Sequence, residues 1–176
     1  LLTKIHIQTN LASILVELDR VEEAAAVSSE VLRGYRALRV DTGDYAAALQ
    51  SQAVIARKCG RPEEARRLAS EAITLTTYPD GTADVEAELH LAEACLADAD
   101  LEEAAAAVAR AWAVLQEVDV FSRARLQRTE ARLTAAAGDP AAAVALLERS
   151  LAALEGTGHR LDRLHSLVEA APALRR

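Results

Sequence analysis

The 176-residue sequence has no methionine, even at its first position, and very few aromatic residues. Tryptophan, tyrosine and phenylalanine together make up 3% of the chain, although 51% of it is hydrophobic. Alanine and leucine therefore carry the apolar content, which is typical of closely packed helices rather than sheets. The missing methionine indicates that the chain is a fragment, or part of something longer.

Long apolar runs are also missing. No stretch approaches the 18 apolar residues of a membrane-spanning helix, and there is no signal-peptide core. The two cysteines, Cys59 and Cys95, lie at positions expected inside different helices. We interpret them as buried, reduced thiols of a cytosolic protein, with a disulfide or redox pair as the alternative.

Acidic residues outnumber basic ones by 27 to 20, so the net charge is −7 at neutral pH. This balance disfavours non-specific binding of nucleic acid. The basic residues are nearly all arginine, and Lys4 and Lys58 are the only lysines. An alanine- and arginine-rich, lysine-poor composition indicates a high-GC bacterial genome.

Motifs for catalysis or metal binding are absent from the sequence. There is no His-Glu-x-x-His pattern, and His159 and His165 are spaced so that they fall on different helix faces. Neither a glycine-rich phosphate loop nor a nucleophile elbow occurs. Paired acids such as Glu22 and Glu23 lie at predicted helix starts, where they stabilise the helix dipole. We therefore expect no enzyme activity, no metal site and no cofactor.

The chain does contain a pattern that repeats about every 40 residues. It is clearest at 60–73, where a glycine turn is followed by a proline, paired acids and a small residue. The small residues at this point are Ala24, Ala65, Ala104 and Ala143, which are 41, 39 and 39 residues apart. A second small residue lies twelve positions earlier, at Ala12, Ala53, Ala92 and Ala131, and a third lies seven positions later, at Val31, Ala72, Ala111 and Ser150. Such a period with two helices per unit indicates a helical solenoid, in which these positions are buried at helix crossings.

Helices are predicted at about 2–18, 21–39, 45–59, from Pro62 onward, 83–98, 101–117, 121–137 and 140–155. The turn signal at 78–81 is interpreted as a loop between repeats. In the first helix, one apolar stripe is predicted from Ile5, Leu11, Ile14, Leu15 and Leu18. Near the C-terminus, a closing helix is expected to cover the last repeat with Leu161, Leu164, Leu167 and Val168.

These small residues, together with the turns at 59–62 and 138–140, resemble the tetratricopeptide repeat (TPR) over about residues 1 to 155. The chain departs from the family in its period, which exceeds 34 residues. It also has Gln8, Leu49, Glu88 and Gln127 where tryptophan is favoured. The resemblance implies an all-α, right-handed α-solenoid of four TPR-like hairpins at about 1–40, 41–79, 80–118 and 119–157, with a C-terminal capping helix at 158–176. Its long units resemble those of regulatory TPR regions in bacterial transcription activators and peptide-sensing repressors.

The resemblance also implies that the first helix of each unit lines a concave groove. The residues of this chain at the matching positions of the repeat would line the groove. They are Asn10, Ser13, Glu17, Gln50, Val54, Arg57, Glu86, His90, Glu93, Arg125, Arg128, Thr129 and Arg132. A groove with separate acidic and arginine patches suits an extended peptide of mixed charge or a partner helix. The carboxylate clamp of chaperone-binding TPR proteins is not expected, because Thr9, Ser13 and Ser51 replace its lysine and asparagine positions.

Three arginines follow an acidic block in which no lysine or arginine occurs from residue 68 to residue 109. Arg125, Arg128 and Arg132 are three and four residues apart, so they share one helix face. We expect them beside Glu86 and Glu93 of the neighbouring first helix. Two interpretations stay open: a basic stripe that faces a ligand, or a solvated face paired with the acidic helix.

The sequence therefore predicts a non-catalytic module that binds a protein or peptide segment, or another domain of its own chain. We expect it to belong to a larger bacterial transcriptional regulator in the cytoplasm, without contacting nucleic acid or membrane itself. The alternative is a self-associating scaffold that dimerises through the ends of its solenoid.

Overall fold

The computed structural model describes residues 2–38, 43–76, 84–115, 119–158, 160 and 163–168; of Leu2 and Glu17 it describes the backbone alone. Eight helices occupy these residues: α1 (Leu2–Glu17), α2 (Val21–Leu38), α3 (Gly43–Lys58), α4 (Pro62–Thr76), α5 (Val85–Ala97), α6 (Leu101–Val114), α7 (Val120–Ala136) and α8 (Pro140–Ala153). Residues 163–168 are also helical, and the described part of the chain has no strand. The predicted all-α hairpin architecture is confirmed, while the predicted loop at 78–81 lies outside the described residues.

The turn inside each helical hairpin has the same backbone geometry. One residue per turn takes a left-handed conformation: Asp19 (φ 56°), Gly60 (φ 70°), Ala99 (φ 59°) and Gly138 (φ 94°). The next amide donates to the carbonyl five residues earlier in every case, as Asp100 does to Cys95 over 2.9 Å. This is the hydrogen bond of a Schellman C-cap, which satisfies a carbonyl at the helix end. The period seen in the sequence is therefore also a period of the backbone.

Aspartates cap the N-termini of α5, α6, α7 and α8. The carboxylates of Asp84, Asp100, Asp119 and Asp139 accept backbone N–H bonds from the first turns of α5, α6, α7 and α8. Each cap satisfies an amide that has no partner within its own helix. The cap residue directly follows the Schellman turn in the last two hairpins, so the end of one helix and the start of the next are set within a few residues.

The three columns of small residues are buried, as the repeat pattern predicts. The columns of Ala24, of Ala12 and of Val31 each place a residue of 4% exposure or less in every hairpin. Because small side chains allow close approach of helix backbones, these columns set the crossings of the solenoid. Gly34 adds one more crossing within α2, since a Cβ atom there would lie 2.8 Å from Ile5 Cδ1.

The odd-numbered helices form one layer. Besides its hairpin partner, each of α3, α5 and α7 packs against the helix before it and the first helix of the preceding unit. Among the described residues, successive second helices make no comparable contacts. We call the side of the molecule formed by α1, α3, α5 and α7 the inner face, because the tighter spacing of these helices makes it the concave side.

Two predicted apolar stripes are wrong in their detail. In α1, Ile5 and Leu15 are buried, whereas Leu11 and Ile14 are exposed, as is Leu18 just after the helix, so α1 carries two apolar faces and not one. At the C-terminus, Leu164, Leu167 and Val168 are 46 to 62% exposed, and Leu161 lies outside the described residues. Residues 163–168 pack instead through Ser166, which is fully buried with its Oγ 3.1 Å from Ser150 Oγ. Two small hydroxyl side chains bring the backbones together there, and this turns the leucines outward.

Cys95 lies where the sequence predicts it, and Cys59 lies close to its predicted place. Cys95 is buried inside α5, but Cys59 follows the end of α3 and is half-buried, and both are free thiols. Trp112 of α6 is half-buried and donates through Nε1 to Glu130 of α7 over 3.2 Å. It therefore bridges the third and fourth hairpins.

Candidate binding groove

The first three odd-numbered helices leave a cavity of about 250 Å³ on the inner face. Its polar lining consists of Ser13, Gln50, Ser51 and His90, and its apolar lining of Val16, Ala47 and Val54. The side chains that α3 contributes include the small Ala47 and Ser51, which leave space between the helices. The cavity therefore offers both hydrogen-bonding groups and apolar walls to an entering side chain.

A nearly buried ion pair joins α3 to α5 beside this cavity. Arg57 Nη2 donates to Glu93 Oε2 over 2.9 Å, and the Glu93 side chain is 9% exposed. Burial alone would raise the pKa of Glu93, but the positive charges of Arg57, Arg125 and Arg132 outweigh it and lower the pKa to about 2. Glu93 is therefore ionised across the physiological range.

A second ion pair joins α5 to α7. Arg125 donates to a carboxylate oxygen of Glu86, and Ser122 Oγ donates to the other oxygen over 3.1 Å. The guanidinium of Arg125 also lies 5.6 Å from the centroid of the Phe121 ring. The inner layer is thus connected by charge from α3 through α5 to α7.

His90 lies between the two ion pairs and faces the cavity. Its Nε2 is 3.9 Å from Glu86 Oε2, which is too long for a hydrogen bond. Its buried Nδ1 has no hydrogen-bond partner among the described residues. Burial lowers the pKa of His90, and the charge of Arg125 lowers it further, against the opposing effect of Glu93 and Glu86. The imidazole is therefore neutral at pH 7.

The structure brings most of the candidate residues together. Arg57, Glu86, His90, Glu93 and Arg125 form one continuous polar cluster, and Gln50 joins it across the cavity. Arg132 is half-buried and close enough to Glu93 to lower its pKa.

The remaining candidates stand apart from this cluster or are less accessible. Asn10 is exposed on α1, and the side chain of Glu17 lies outside the described residues. Arg128 is only 8% exposed, and the neighbouring Thr129 is buried as well. A long charged side chain at 8% exposure is part of the packing, so a charge reversal at Arg128 is expected to destabilise the fold.

The arginine face was interpreted either as facing a ligand or as paired with the acidic helix, and different arginines fit the two interpretations. Arg125 is paired with the acidic α5, as the second interpretation proposes. Among the described residues, Arg132 forms no ion pair with a carboxylate. It therefore stays a candidate for ligand contact.

One buried charged residue was missed at the sequence level. Glu88 of α5 is 3% exposed, and its Oε1 accepts from Arg110 Nε of α6 over 2.9 Å. Its position in the repeat is that of Leu49, which is fully buried. The period alone could have predicted the burial of Glu88, but its partner on the second helix could not be read from spacing.

Two further searches of the described residues are negative. No group of three or more His, Cys, Asp or Glu side chains is placed to hold a metal ion. In the same part of the chain, no helix has the length and apolar character needed to cross a membrane.

Comparison with known proteins gives a match at the level of the fold. No model of a known protein family matches the chain, and no curated protein sequence matches it. A solved structure of nearly identical TPR-like repeats from a Podosopora anserina protein, which its description relates to kinesin light chains, is 24% identical with a TM-score of 0.66. The match covers 98% of this chain and 86% of that chain. A single-substitution variant of the same repeats gives a TM-score of 0.67 at 24% identity, covering 98% and 85%. The chain therefore has the fold of a TPR-like repeat solenoid.

Proposed function

We propose that this chain, which folds as a solenoid of TPR-like repeats, is a non-catalytic module that binds a protein or peptide segment along its inner face. TPR-like repeats generally mediate interactions between proteins. The observation that carries the proposal is the cavity between α1, α3 and α5, which has His90 in its lining and the Arg57–Glu93 ion pair beside it.

The polar cluster beside the cavity supports binding without large rearrangement. Arg57 and Arg125 are already held by Glu93 and Glu86, so their side chains lose little freedom when a ligand arrives. Arg132 adds a positive charge close to Glu93 but forms no ion pair with the carboxylates of this cluster. The ligand that fits best is an extended segment or helix of mixed charge, which places a polar side chain in the cavity and a carboxylate near Arg132.

A displayed library of random peptides, each about 12 residues long, tests this proposal. We expect selected peptides to bind the unmodified chain and a Ser29→Trp variant equally, because Ser29 is exposed on α2. A Ser51→Trp variant fills the cavity and should weaken the same peptides at least about tenfold, at a similar melting temperature. A library without binders, or binders that ignore Ser51→Trp, would show that the inner face is not the binding surface.

We also propose the wider setting of the module. The arginine-rich, lysine-poor composition and the long repeat units support a place in a larger bacterial transcriptional regulator in the cytoplasm. The hairpins at 1–40, 41–79, 80–118 and 119–157 would form its binding array, with 158–176 as the cap. Its partner would be a separate protein or another domain of the same chain. Neither nucleic acid nor membrane would be contacted directly.

Self-association through the ends of the solenoid is the second candidate. It is favoured by the exposed apolar side chains at both ends, on α1 and on residues 163–168. These surfaces are separate from the cavity, so the two functions can be tested independently.

A further inference from the structure

The cavity on the inner face has a lining that is mixed in polarity but carries no net charge. Three of its lining residues are apolar and four are polar: Val16, Ala47 and Val54, and Ser13, Gln50, Ser51 and His90. Of these polar side chains only His90 could be charged, and burial lowers the pKa of its imidazole, so it is neutral. A charged group that entered the cavity would lose its water without meeting a counter-charge there, which is costly.

The two charged side chains in the last turn of α3, beside the cavity, are already paired. Arg57 donates to Glu93 over 2.9 Å. Lys58 Nζ lies 3.7 Å from Asp19 Oδ1 and donates to the backbone carbonyl of Val16, a lining residue, over 3.3 Å. A charged ligand group would have to compete with these partners. The cavity therefore favours a neutral group.

The polar lining has hydrogen-bonding capacity to spare. Within the described part of the chain, the side chains of Gln50 and Ser51 form no hydrogen bond, and both are partly exposed. Ser13 Oγ donates to the carbonyl of Thr9 over 3.3 Å, which leaves its lone pairs free to accept. An amide or a hydroxyl can donate and accept, so the lining suits a ligand hydroxyl that does the same.

The size of the cavity favours an aromatic ring. The cavity measures about 250 Å³, and roughly 150 Å³ is enough to hold a benzene molecule. There is therefore room for a ring with a polar substituent. Val16 of α1 and Val54 of α3 supply apolar contact for such a ring. An aromatic side chain also loses little conformational freedom on binding, because it has few rotatable bonds.

We propose that the cavity binds a tyrosine side chain of the partner segment, with the ring against Val16 and Val54 and the phenol hydroxyl hydrogen-bonded to Gln50 or Ser51. This inference rests on the proposed function and deepens it, because it names the side chain that anchors the segment. It also gives the interaction a means of control. Phosphorylation adds a charge of about −1.5 to −2 to a tyrosine, and the neutral lining has nothing to balance it, so the phosphorylated segment is released.

Nuclear magnetic resonance of the isotope-labelled whole chain tests the anchor with N-acetyl-tyrosine amide as the probe. We expect the backbone amides of residues 47–54 to shift, with a dissociation constant of about 1–10 mM. The indole N–H of Trp112 on α6 should stay in place as an internal control. N-acetyl-phenylalanine amide, which lacks the hydroxyl, should bind about three- to tenfold more weakly. The O-phosphorylated tyrosine amide should cause no shift at the same concentrations.

Variants of the lining assign the binding to the cavity. Ser51→Trp fills the cavity and should abolish the shifts, whereas Ser29→Trp on the exposed side of α2 should leave them unchanged. The double variant Gln50→Met and Ser51→Ala removes both hydrogen-bonding groups. It should bring the tyrosine and phenylalanine amides to within about twofold of each other.

The outcomes separate this inference from the proposed function. If selected peptides are weakened by Ser51→Trp but the tyrosine amide causes no shift at up to about 20 mM, the segment binds through another side chain and the tyrosine anchor is refuted. Shifts that persist in Ser51→Trp would place the tyrosine outside the cavity and would also refute it. So would equal or tighter binding of the phosphorylated amide, because the cavity would then prefer a charge.

Discussion

Replacement of Ala99 by glycine should stabilise this protein. Ala99 holds the left-handed position of the third hairpin turn at φ 59° and is exposed, so its methyl group contributes no packing. An L-residue in this conformation costs roughly 1–2 kcal/mol, because its Cβ crowds the following carbonyl. Glycine removes this cost but makes the unfolded chain more flexible, which takes back roughly 0.4–1 kcal/mol. Ala99→Gly should therefore gain about 0.5–1 kcal/mol.

Urea unfolding, followed by helical circular dichroism, measures the change. Two other variants separate turn geometry from a general effect of glycine. Gly60→Ala changes the same position of the second turn in the opposite sense, and its Cβ would meet no atom within 4 Å. It should lose about as much as Ala99→Gly gains. Ala105→Gly, at an exposed site inside α6, should lose about 0.5–1 kcal/mol from helix propensity alone.

The result that would refute the reasoning is specific. If Ala99→Gly loses stability as Ala105→Gly does, the residue behaves as part of a helix and the periodic turn geometry is wrong at this hairpin. If Gly60→Ala is neutral, the left-handed conformation carries no cost in these turns.

Three further predictions test the packing and the charges. Ala104→Leu should overpack a crossing with no exposed surface and cost about 1–3 kcal/mol, while Ala105→Leu on the exposed side should change little. Glu93→Gln should cost roughly 3 kcal/mol near neutral pH, since it leaves Arg57 without its counter-charge. The folded-state pKa of Glu93, about 2, lies below its ordinary value of 4.5, so the carboxylate stabilises the fold fully above pH 4.5 and loses this effect as the pH falls towards 2. The gap between Glu93→Gln and the unmodified chain in acid titrations should close over that range, whereas the exposed Glu23→Gln should show little effect at any pH. Acrylamide should quench the fluorescence of half-buried Trp112 less in the folded protein than in urea; equal quenching would contradict its contact with Glu130.

The fold could be predicted from the sequence because its signals are local and repeated. A small residue recurring at one phase, as Ala65 and Ala104 do, leaves one arrangement of helix crossings, and both residues are fully buried. The cavity and the orientation of the end helices could not be predicted in this way. Helical spacing alone does not predict that Leu164 is exposed while Ser166 is buried. The orientation of this helix depends on its contact with the neighbouring helix, where Ser166 packs against Ser150.

The groove residues show the same division. Phase places Glu86, Glu93 and Arg125 on first helices, and the structure indeed joins them in one cluster. The position of a residue in the repeat does not give the degree to which its side chain is buried, so the burial of Arg128 was not predicted. Depth depends on the curvature of the whole array, which no single repeat encodes.

The ion pairs of the inner layer have a consequence for the order of the repeats. The small-residue columns are alike in every hairpin, so they would allow the hairpins to be joined in any sequence. The charges differ: the third hairpin supplies Glu93 to Arg57 before it and Glu86 to Arg125 after it. If the third hairpin were removed, Arg132 would take the place of Glu93, and Arg57 would face a like charge. The acidic hairpin is thus suited to only one position, and the array can be read as an ordered chain of distinct modules rather than as interchangeable copies.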